Sequence, residues 1–549
     1  MILDAHTIPN GQTLTADLCI IGAGAAGITL AMELRATGLD ILLLEAGGKT
    51  HAGASQQLYA GSVNDAGRHL PLDQARYRQL GGTTSLWGGR CIPFDPIDFQ
   101  TRPWVPHSGW PISRTALDPF YRRAHVYCEC GAYDYHVVSA LPGAPTEMVA
   151  GLSDGAVSTS MLERWSPPTQ FGKTYREPLA RAERVRVLLH AIALELQCSP
   201  NGTRVETIRV GTLDGRRFAV RATTTVLTGG GLETTRLLLT STGVHRTGIG
   251  NHSDWLGRGY MSHFHGTIAR VHFTAGRGVM FGYETDPQGV FCRRHLALAE
   301  DIQRKHGLLN HYMVLDRPLL GDPTHGNAVL SAAFLFKRLF GGRQQEDLGS
   351  GKYALYWRHL KNVLQGSPQA VSILPKFGRR RFLQRRRMPS LLLGSRSNSY
   401  HLYFQSEQVP DRNSRVTLNE TRDVLGIPRL HLNFCVSPQD YDSVLRAHVL
   451  VDEELRRQNV GHLTYLDRDV SSTIRESTAV LGHHLGTTRM STDPTHGVVD
   501  TQCRIHGMTN LYVASSSIFP TASHANPTLT IVAMAIRLAD HLTATGQRE

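Results

Sequence analysis

The sequence predicts an α/β chain in which a parallel-stranded nucleotide domain is interrupted by a second domain, and three observations carry that prediction. A strand, a glycine turn, a helix and a second strand follow one another between residues 16 and 45. Strand–turn–helix texture returns near Val499. Between them, residues 260–475 hold separate strands divided by long, basic, irregular or helical insertions. Alternation of strand and helix is the signature of a parallel sheet, and a change of texture marks a change of domain. At 549 residues the chain exceeds the size at which one hydrophobic core keeps growing. The expected division is 14–115, 183–258 and 478–549 for the first domain, with 116–182 and 259–477 forming the second.

The elements read in order as follows. Ala16 to Ile21 is apolar and partly β-branched, hence a strand; Gly22, Ala23 and Gly24 make a turn; Ala25 to Ala36 reads as a helix ended by Gly38. Asp40 to Leu44 is a second apolar run closed by Glu45 and Gly47-Gly48, which completes a β-α-β unit with a parallel crossover. Arg186 to Leu196 reads as a further strand, and alternating strands run from the Asn201-Gly202 turn through Ala222. Thr225 to Leu227 leads into Gly229-Gly230-Gly231 and a helix beginning near Glu233. In the insertion, Leu402 to Val409 and Arg415 to Leu418 read as strands. Asn510 to Ala514 is the last strand, and Pro527 to Thr543 the last helix.

Gly22-x-Gly24-x-x-Gly27 lies in the strand-to-helix context that a dinucleotide fingerprint requires. Each glycine has its own reason: Gly22 permits the tight turn, Gly24 admits a pyrophosphate to the backbone, and Gly27 lets helix and strand pack. The helix amino terminus offers unpaired N–H groups and partial positive charge to phosphate. Glu45, 18 residues beyond Gly27, can accept hydrogen bonds from both ribose hydroxyls and repels a 2′-phosphate. The motif does not separate NAD from FAD.

Near the other end, Gly482-His483-His484-Leu485-Gly486-Thr487 is followed by Phe519 to Thr528 (FPTASHANPT). Asn526 is a good N-cap, and Pro527 suits the first helical position. The positive end of that helix is suited to a group that gathers negative charge, as a flavin does at its N1–C2=O2 edge on accepting hydride. Taken singly, His483, His484 and His524 read as ordinary polar residues near loops.

Composition excludes several classes. The hydrophobic fraction of 41% and charged fraction of 19% fit a folded, core-bearing chain. No apolar run reaches membrane-spanning length, and the first residues lack a secretory layout, so a cytoplasmic address is expected. The eight cysteines lack paired CxxC spacing, which argues against a metal site. The net charge is +12, but Lys376 and Arg379, Arg380, Arg381, Arg385, Arg386 and Arg387 supply seven of those charges without one acid. This stretch reads as a solvated surface segment, with contact to an anionic membrane surface or acidic partner as alternatives. No nucleic-acid module accompanies it, and no nucleic-acid partner is expected.

With these residues in view, the chain resembles the glucose–methanol–choline (GMC) family of FAD oxidoreductases, in its pyranose-oxidase-like branch. The likeness covers Gly22 to Glu45, Gly81 to Gly89 (GGTTSLWGG), Ser108-Gly109-Trp110-Pro111, Val226 to Leu239, Glu407 to Leu418 (EQVPDRNSRVTL) and nearly all of Gly482 to Leu542. It implies a Rossmann-like FAD domain joined to a substrate domain whose large mixed or antiparallel sheet covers the flavin. It places the base at His483, three residues before the Gly-Thr of HxxGT, and its partner at Asn526. It implies cofactor contacts at Gly22, Gly24, Ala25, Gly27, Glu45, Ala46, Ala193, Thr228, Gly229 and Glu233. The pyrophosphate and flavin are expected along Gly81, Gly82, Thr83, Thr84, Ser85, Leu86, Trp87, Gly88 and Gly89, and beside Ser515, Asn526, Pro527 and Thr528. Covalent members carry a His just before the Trp of this loop; here Leu86 stands there, so non-covalent FAD is expected.

The activity implied is oxidation of an alcohol CH–OH, by hydride transfer to flavin N5 with His483 as base. The expected substrate is a sugar or sugar-bearing small molecule, such as a glycoside or amino sugar, with oxygen or another acceptor restoring the flavin. Tyr403, Gln405 and Glu407 alternate on one strand face and are candidate substrate contacts, with His484, His263 and His265 as further candidates. The rivals are an FAD-containing lyase, a non-sugar alcohol dehydrogenase, an NAD enzyme and a non-catalytic flavoprotein.

Overall fold

The computed structural model describes residues 1–318, 320–340, 352–477, 479–480 and 482–546. Two sheets organise them. The first has eight strands in the order Ile2–Asp4, Val185–Leu189, Ile41–Leu44, Thr13–Ile21, Arg217–Leu227, Val205–Gly211 and Ile192–Cys198, with Leu511–Val513 also paired to Arg217–Leu227. Its centre is parallel: Thr13–Ile21 lies between Ile41–Leu44 and Arg217–Leu227, and Leu511–Val513 joins in the same sense. All four residues of Ile41–Leu44 are buried, as a strand covered on both faces requires. Through Leu511–Val513 the end of the chain returns to the sheet begun by its first residues.

Two expectations change. The single strand read over Arg186 to Leu196 is two strands, Val185–Leu189 and Ile192–Cys198, parted at His190 with φ +58°. The turn is held because His190 N donates to Gly47 O and Ala191 N to Glu45 O. The boundary expected at 115/116 cuts a helix, Arg114–Tyr127, whose Leu117, Tyr121 and Ala124 share the core of the first sheet. Tyr121 also bonds to Thr530 of the last helix, Thr528–Gly546, so this helix sits with the nucleotide domain.

The second sheet is antiparallel, in the order Gly461–Tyr465, Phe264–Phe273, Ser399–Ser406, His311–Asp316, Leu296–Leu298 and Val157–Ser158. One face (Phe264, Leu402, Phe404, Leu315) shares a core with Val444, Ala447, Val451 and Leu455 of the helix Pro438–Arg457. The other face carries polar side chains. Register sets His265 opposite Gln405, and Gln405 opposite Tyr312, so the three form one row across three strands. That row forms the roof of the site described below. Two further helices, Ala328–Phe340 and Lys352–Gly378, pack against each other outside this sheet. No helix among the described residues is long and apolar enough to cross a membrane.

Burial holds several histidines uncharged. The His125 and His448 imidazoles are brought down to about 4, and those of His263, His295 and His311 to about 3. In the unfolded chain each takes up a proton near pH 6.5. Below that pH the unfolded state therefore binds more protons than the folded one, and stability falls as pH falls. Each such group adds a slope of up to about 1.4 kcal/mol per pH unit. Melting temperatures should therefore drop steeply between pH 6.5 and pH 5; a constant or rising Tm over that window would contradict the assignment.

Candidate active site

The nucleotide turn is closed from below and open from above. A Cβ on Gly27 would lie 1.9 Å from Gly22 O, and one on Gly22 (φ +113°) would lie 2.8 Å from Thr228, so neither position accepts a side chain. At Gly24 nothing lies within 4 Å, which leaves the backbone at the start of the helix Ala25–Leu34 open to a ligand. No side chain caps that helix. Its first N–H groups thus face a cavity of about 570 Å³ that runs from Glu45, Ala46 and Ala193 to Ser515, Asn526, Pro527 and Thr528. Glu45 is buried; Ala23 N donates to Oε2 (3.0 Å) and Gly47 N to Oε1 (2.8 Å). Burial raises its carboxyl, and these two N–H groups oppose the rise. Each oxygen keeps a second lone pair for a ribose hydroxyl.

Glu233 also lines the cavity, but its carboxylate is already bound by Arg76 (3.1 Å) and Arg78 (2.6 Å), which lie over the Tyr59 ring. Burial favours the neutral carboxyl, but the flanking guanidinium groups of Arg78, Arg76 and Arg236 outweigh it and hold Glu233 below its ordinary range. Thr228 spends its hydroxyl on Ile21 O and Gly22 O, fixing the glycine turn from the neighbouring strand. Three buried polar atoms of cavity-lining residues have no hydrogen-bond partner among the described residues: Arg78 Nε, Thr234 Oγ1 and His484 Nε2. A donor, a hydroxyl and an acceptor left waiting around the cavity fit a long, polar occupant such as FAD.

The glycine-rich loop folds over this cavity as a short 3-10 turn, Gly82–Ser85, entered by Gly81 at φ +89°. Gly82, Thr83, Thr84, Leu86, Trp87, Gly88 and Gly89 line the cavity with Gly22, Ala25 and Gly229. Gly81 and Ser85 do not. Gly81 packs on Gly172, where a Cβ would lie 2.4 Å from its N, and Ser85 Oγ accepts from Gln79 Nε2. Gly27 likewise acts from beneath the turn.

At the far end, the two histidines of the His-His pair are oriented by separate hydrogen-bond chains. His263 Nε2 lies 3.1 Å from Ala522 O, and a carbonyl can only accept, so His263 carries its proton on Nε2. Its Nδ1 is then an acceptor, and it lies 2.8 Å from His483 Nδ1. His483 therefore holds its proton on Nδ1, which leaves Nε2 as a bare lone pair. Burial, with added repulsion from His263, His484 and Arg90, holds the His483 imidazole well below its ordinary value. The same logic applies to His484. His69 Nδ1 donates to Leu70 O (2.7 Å), Tyr260 OH donates to His69 Nε2 (2.7 Å), and His484 Nδ1 donates to the Tyr260 phenolic oxygen Oη (2.7 Å).

Asn526 is held as firmly. Arg90 Nη1 (2.9 Å) and Gln405 Nε2 (3.0 Å) both donate to its Oδ1. A flipped amide would face two donors with a third, so the Nδ2 hydrogens must point away from both. This corrects the expected N-cap: the first bond of the last helix runs from Ile531 N to Pro527 O, and the Asn526 acceptor is engaged elsewhere. Arg90 also donates to Glu163 Oε2 (2.6 Å), which accepts from Tyr312 OH as well (2.6 Å). Arg90 Nη2 and Glu163 Oε1 are buried without a partner among the described residues.

The substrate candidates divide. Gln405 and Tyr403 stand on the roof strand, where Tyr403 meets His265 (ring centroids 5.8 Å apart) and Gln405 acts on Asn526. Glu407 is a correction. The strand ends at Ser406, and Glu407 is fully buried in a two-point pair with Arg102 (2.8 and 2.5 Å), so it has no route to a substrate. His524 is bound to Asp95 (2.9 Å) and stacks on Tyr312. Sequence reasoning missed Arg90, Glu163, Tyr312 and the orienting role of His263. Their strand register, which depends on pairing between distant segments, was the signal that could have united them.

Known proteins agree with this geometry. The profile described as FAD dependent oxidoreductase matches residues 17–295, and that described as GMC oxidoreductase matches residues 410–535. The chain is 24% identical to the fructose dehydrogenase large subunit of Gluconobacter japonicus, over 97% of this chain and 98% of that one. It is 25% identical to the 6'''-hydroxyparomomycin C oxidase of Streptomyces lividus, over 96% and 92%. The crystal structure of pyridoxine 4-oxidase from Mesorbium loti shares the fold, with a TM-score of 0.53 and 17% identity over 96% of this chain and 98% of that one. With a nucleotide cradle, a GMC-type carboxy-terminal segment and full-length relatives of this kind, the chain belongs to the FAD-dependent oxidoreductases, as a GMC oxidoreductase acting on CH–OH donors as an oxidase or a dehydrogenase.

Proposed function

We propose that this enzyme oxidises a hydroxyl of a sugar or sugar-bearing molecule, in the manner of the pyranose-oxidase-like branch, with FAD held non-covalently. The observation that carries the proposal is the hydrogen-bond chain Ala522 O, His263, His483, which supports an unprotonated His483 Nε2 at the cavity. Bound there, FAD supplies the two-electron acceptor for the hydrogen and bonding pair leaving the carbinol carbon. His483 Nε2 takes the hydroxyl proton, and the Asn526 Nδ2 hydrogens stabilise the alkoxide character that develops on the same oxygen. Arg90 and Gln405 keep that amide aimed.

Two relatives favour a polyhydroxyl substrate. The fructose dehydrogenase and hydroxyparomomycin oxidase relatives bear names of substrates of this kind. Leu86 has no nucleophilic atom with which to tether the flavin.

The deciding experiment mixes the yellow protein anaerobically with a sugar panel (fructose, glucose, alkyl glycosides and an aminoglycoside) and, separately, with simple aliphatic alcohols, then admits air. Bleaching of the flavin by at least one member is expected; bleaching only by simple aliphatic alcohols would overturn the sugar assignment. His483→Ala should retain FAD and slow reduction by about a hundredfold or more. His263→Phe should slow it comparably because the His483 tautomer is released, whereas His263→Gln, which can both accept from His483 and donate to Ala522 O, should restore much of the rate. Equal rates in the two His263 variants would remove the orienting role.

Because both imidazoles stay neutral well below their ordinary value, the reduction rate should be flat from pH 8 to pH 5. An acid limb centred near pH 6.5 would show that the base is not so held. Acid precipitation should leave all yellow colour in the supernatant; a yellow pellet would establish a covalent link.

A further inference from the structure

From Lys352 to Tyr400 the chain contains eleven lysines and arginines and no aspartate or glutamate. The structure gives this run a defined inner and outer side. Inward, the helix Lys352–Gly378 packs on Ala328–Phe340: His359 is buried, stacks on Phe334 at 4.1 Å and bonds to Ser331 Oγ at 2.9 Å. Gly366 is pressed to Ala328 so closely that a Cβ would lie 2.8 Å from the Ala328 Cβ. Outward, Trp357 is 61% exposed and Leu360 is 40% exposed, with Arg358 and Lys361 exposed beside them. At the helix end, the turn Arg379–Leu383 presents Phe382 and Leu383 at 71% and 81% exposure, flanked by exposed Arg379, Arg380, Arg385 and Arg387.

Part of the basic segment is anchored to the body of the protein. Arg385 pairs with Glu129, and Arg386 Nη1 donates to Glu129 O at 2.7 Å. Among the described residues, no carboxylate pairs with Arg358, Lys361, Arg379, Arg380 or Arg387. Large apolar side chains and unneutralised cations thus stand side by side on the exposed side of this helix and on the turn at its end, above a packed support.

We infer that this face docks on an anionic lipid bilayer, with Phe382, Leu383 and Trp357 entering the headgroup–acyl boundary and the arginines on lipid phosphates. Cations alone would suit nucleic acid or an acidic protein. The apolar tip is what selects lipid, because Leu383 and Phe382 gain from leaving water only where hydrocarbon receives them. The charge gains about a factor of five per basic residue near a negative surface. This docking is peripheral and needs no spanning helix. It is independent of the His483 chemistry.

The test is flotation of the FAD-loaded protein with vesicles of phosphatidylglycerol in phosphatidylcholine, against vesicles of phosphatidylcholine alone. Binding to the anionic vesicles only, weakened by added salt, is expected. Replacing Arg379, Arg380 and Arg387 together by Gln should weaken it by about a hundredfold, and Phe382→Ser with Leu383→Ser by about tenfold or more. Flavin content and reduction by substrate should stay unchanged in both. Absence of binding, equal binding to neutral vesicles, or binding indifferent to the Phe382 and Leu383 replacements would overturn the inference, the last by leaving charge alone as the attraction.

Discussion

The site depends on one hydrogen bond that involves neither substrate nor cofactor, the one from His263 Nε2 to Ala522 O. A backbone carbonyl cannot change its role, so it settles the His263 tautomer, and through a single Nδ1–Nδ1 contact it settles that of His483 as well. Had the partner been a hydroxyl or a carboxylic acid, either tautomer would have been possible and His483 would spend part of its time with the other nitrogen protonated. Burial acts in the same direction. A positive charge on His263 would set two donors against each other at 2.8 Å in a place where water cannot screen them, and one on His483 would stand buried beside Arg90.

The fold explains why that carbonyl is there. Ala522 belongs to the connection between Leu511–Val513, which pairs in parallel with Arg217–Leu227 of the first sheet, and the last helix, Thr528–Gly546. His263 immediately precedes Phe264–Phe273 of the antiparallel sheet. The bond between them therefore joins the nucleotide half of the molecule to the roof. Gln405 of the roof donates to Asn526 across the same junction, and Arg90 does so from the end of the glycine loop. Three elements far apart in the chain thus fix two side chains, and the cavity lies between them.

How much of this the sequence disclosed follows from the range of the interactions. The β-α-β unit was legible because its glycines answer to local demands, and the structure shows those demands as near contacts at Gly22 and Gly27. The return of the chain to the first sheet was legible for the same reason. His483 and Asn526 stood out through a family resemblance, and both line the cavity. The role given to Asn526 was partly misjudged: Asn before Pro at a helix start has the local grammar of a cap, but two donors from other parts of the chain claim its oxygen. Glu407 was misjudged likewise. Alternation places it with Tyr403 and Gln405, yet the strand ends one residue earlier and Arg102 takes the carboxylate. Local pattern cannot reveal a partner three hundred residues away.

Arg90 shows why such distant partners matter to the chemistry. A buried guanidinium and carboxylate are costly to desolvate, and apolar residues of similar volume often serve stability as well or better. The Arg90–Glu163 pair is nevertheless almost wholly buried, with one nitrogen and one oxygen left unused. Two consequences of its charge have the same sign for the proposed catalysis. It disfavours a proton on His483, which would keep the proposed base available, and it donates to Asn526 Oδ1, which polarises the amide and strengthens it as the donor proposed for the alkoxide. Glu163 and Tyr312 hold the guanidinium in place without cancelling that local action, because the carboxylate binds Nε while Nη1 serves the amide. A leucine or methionine at position 90 would pack, but it would lose both effects at once.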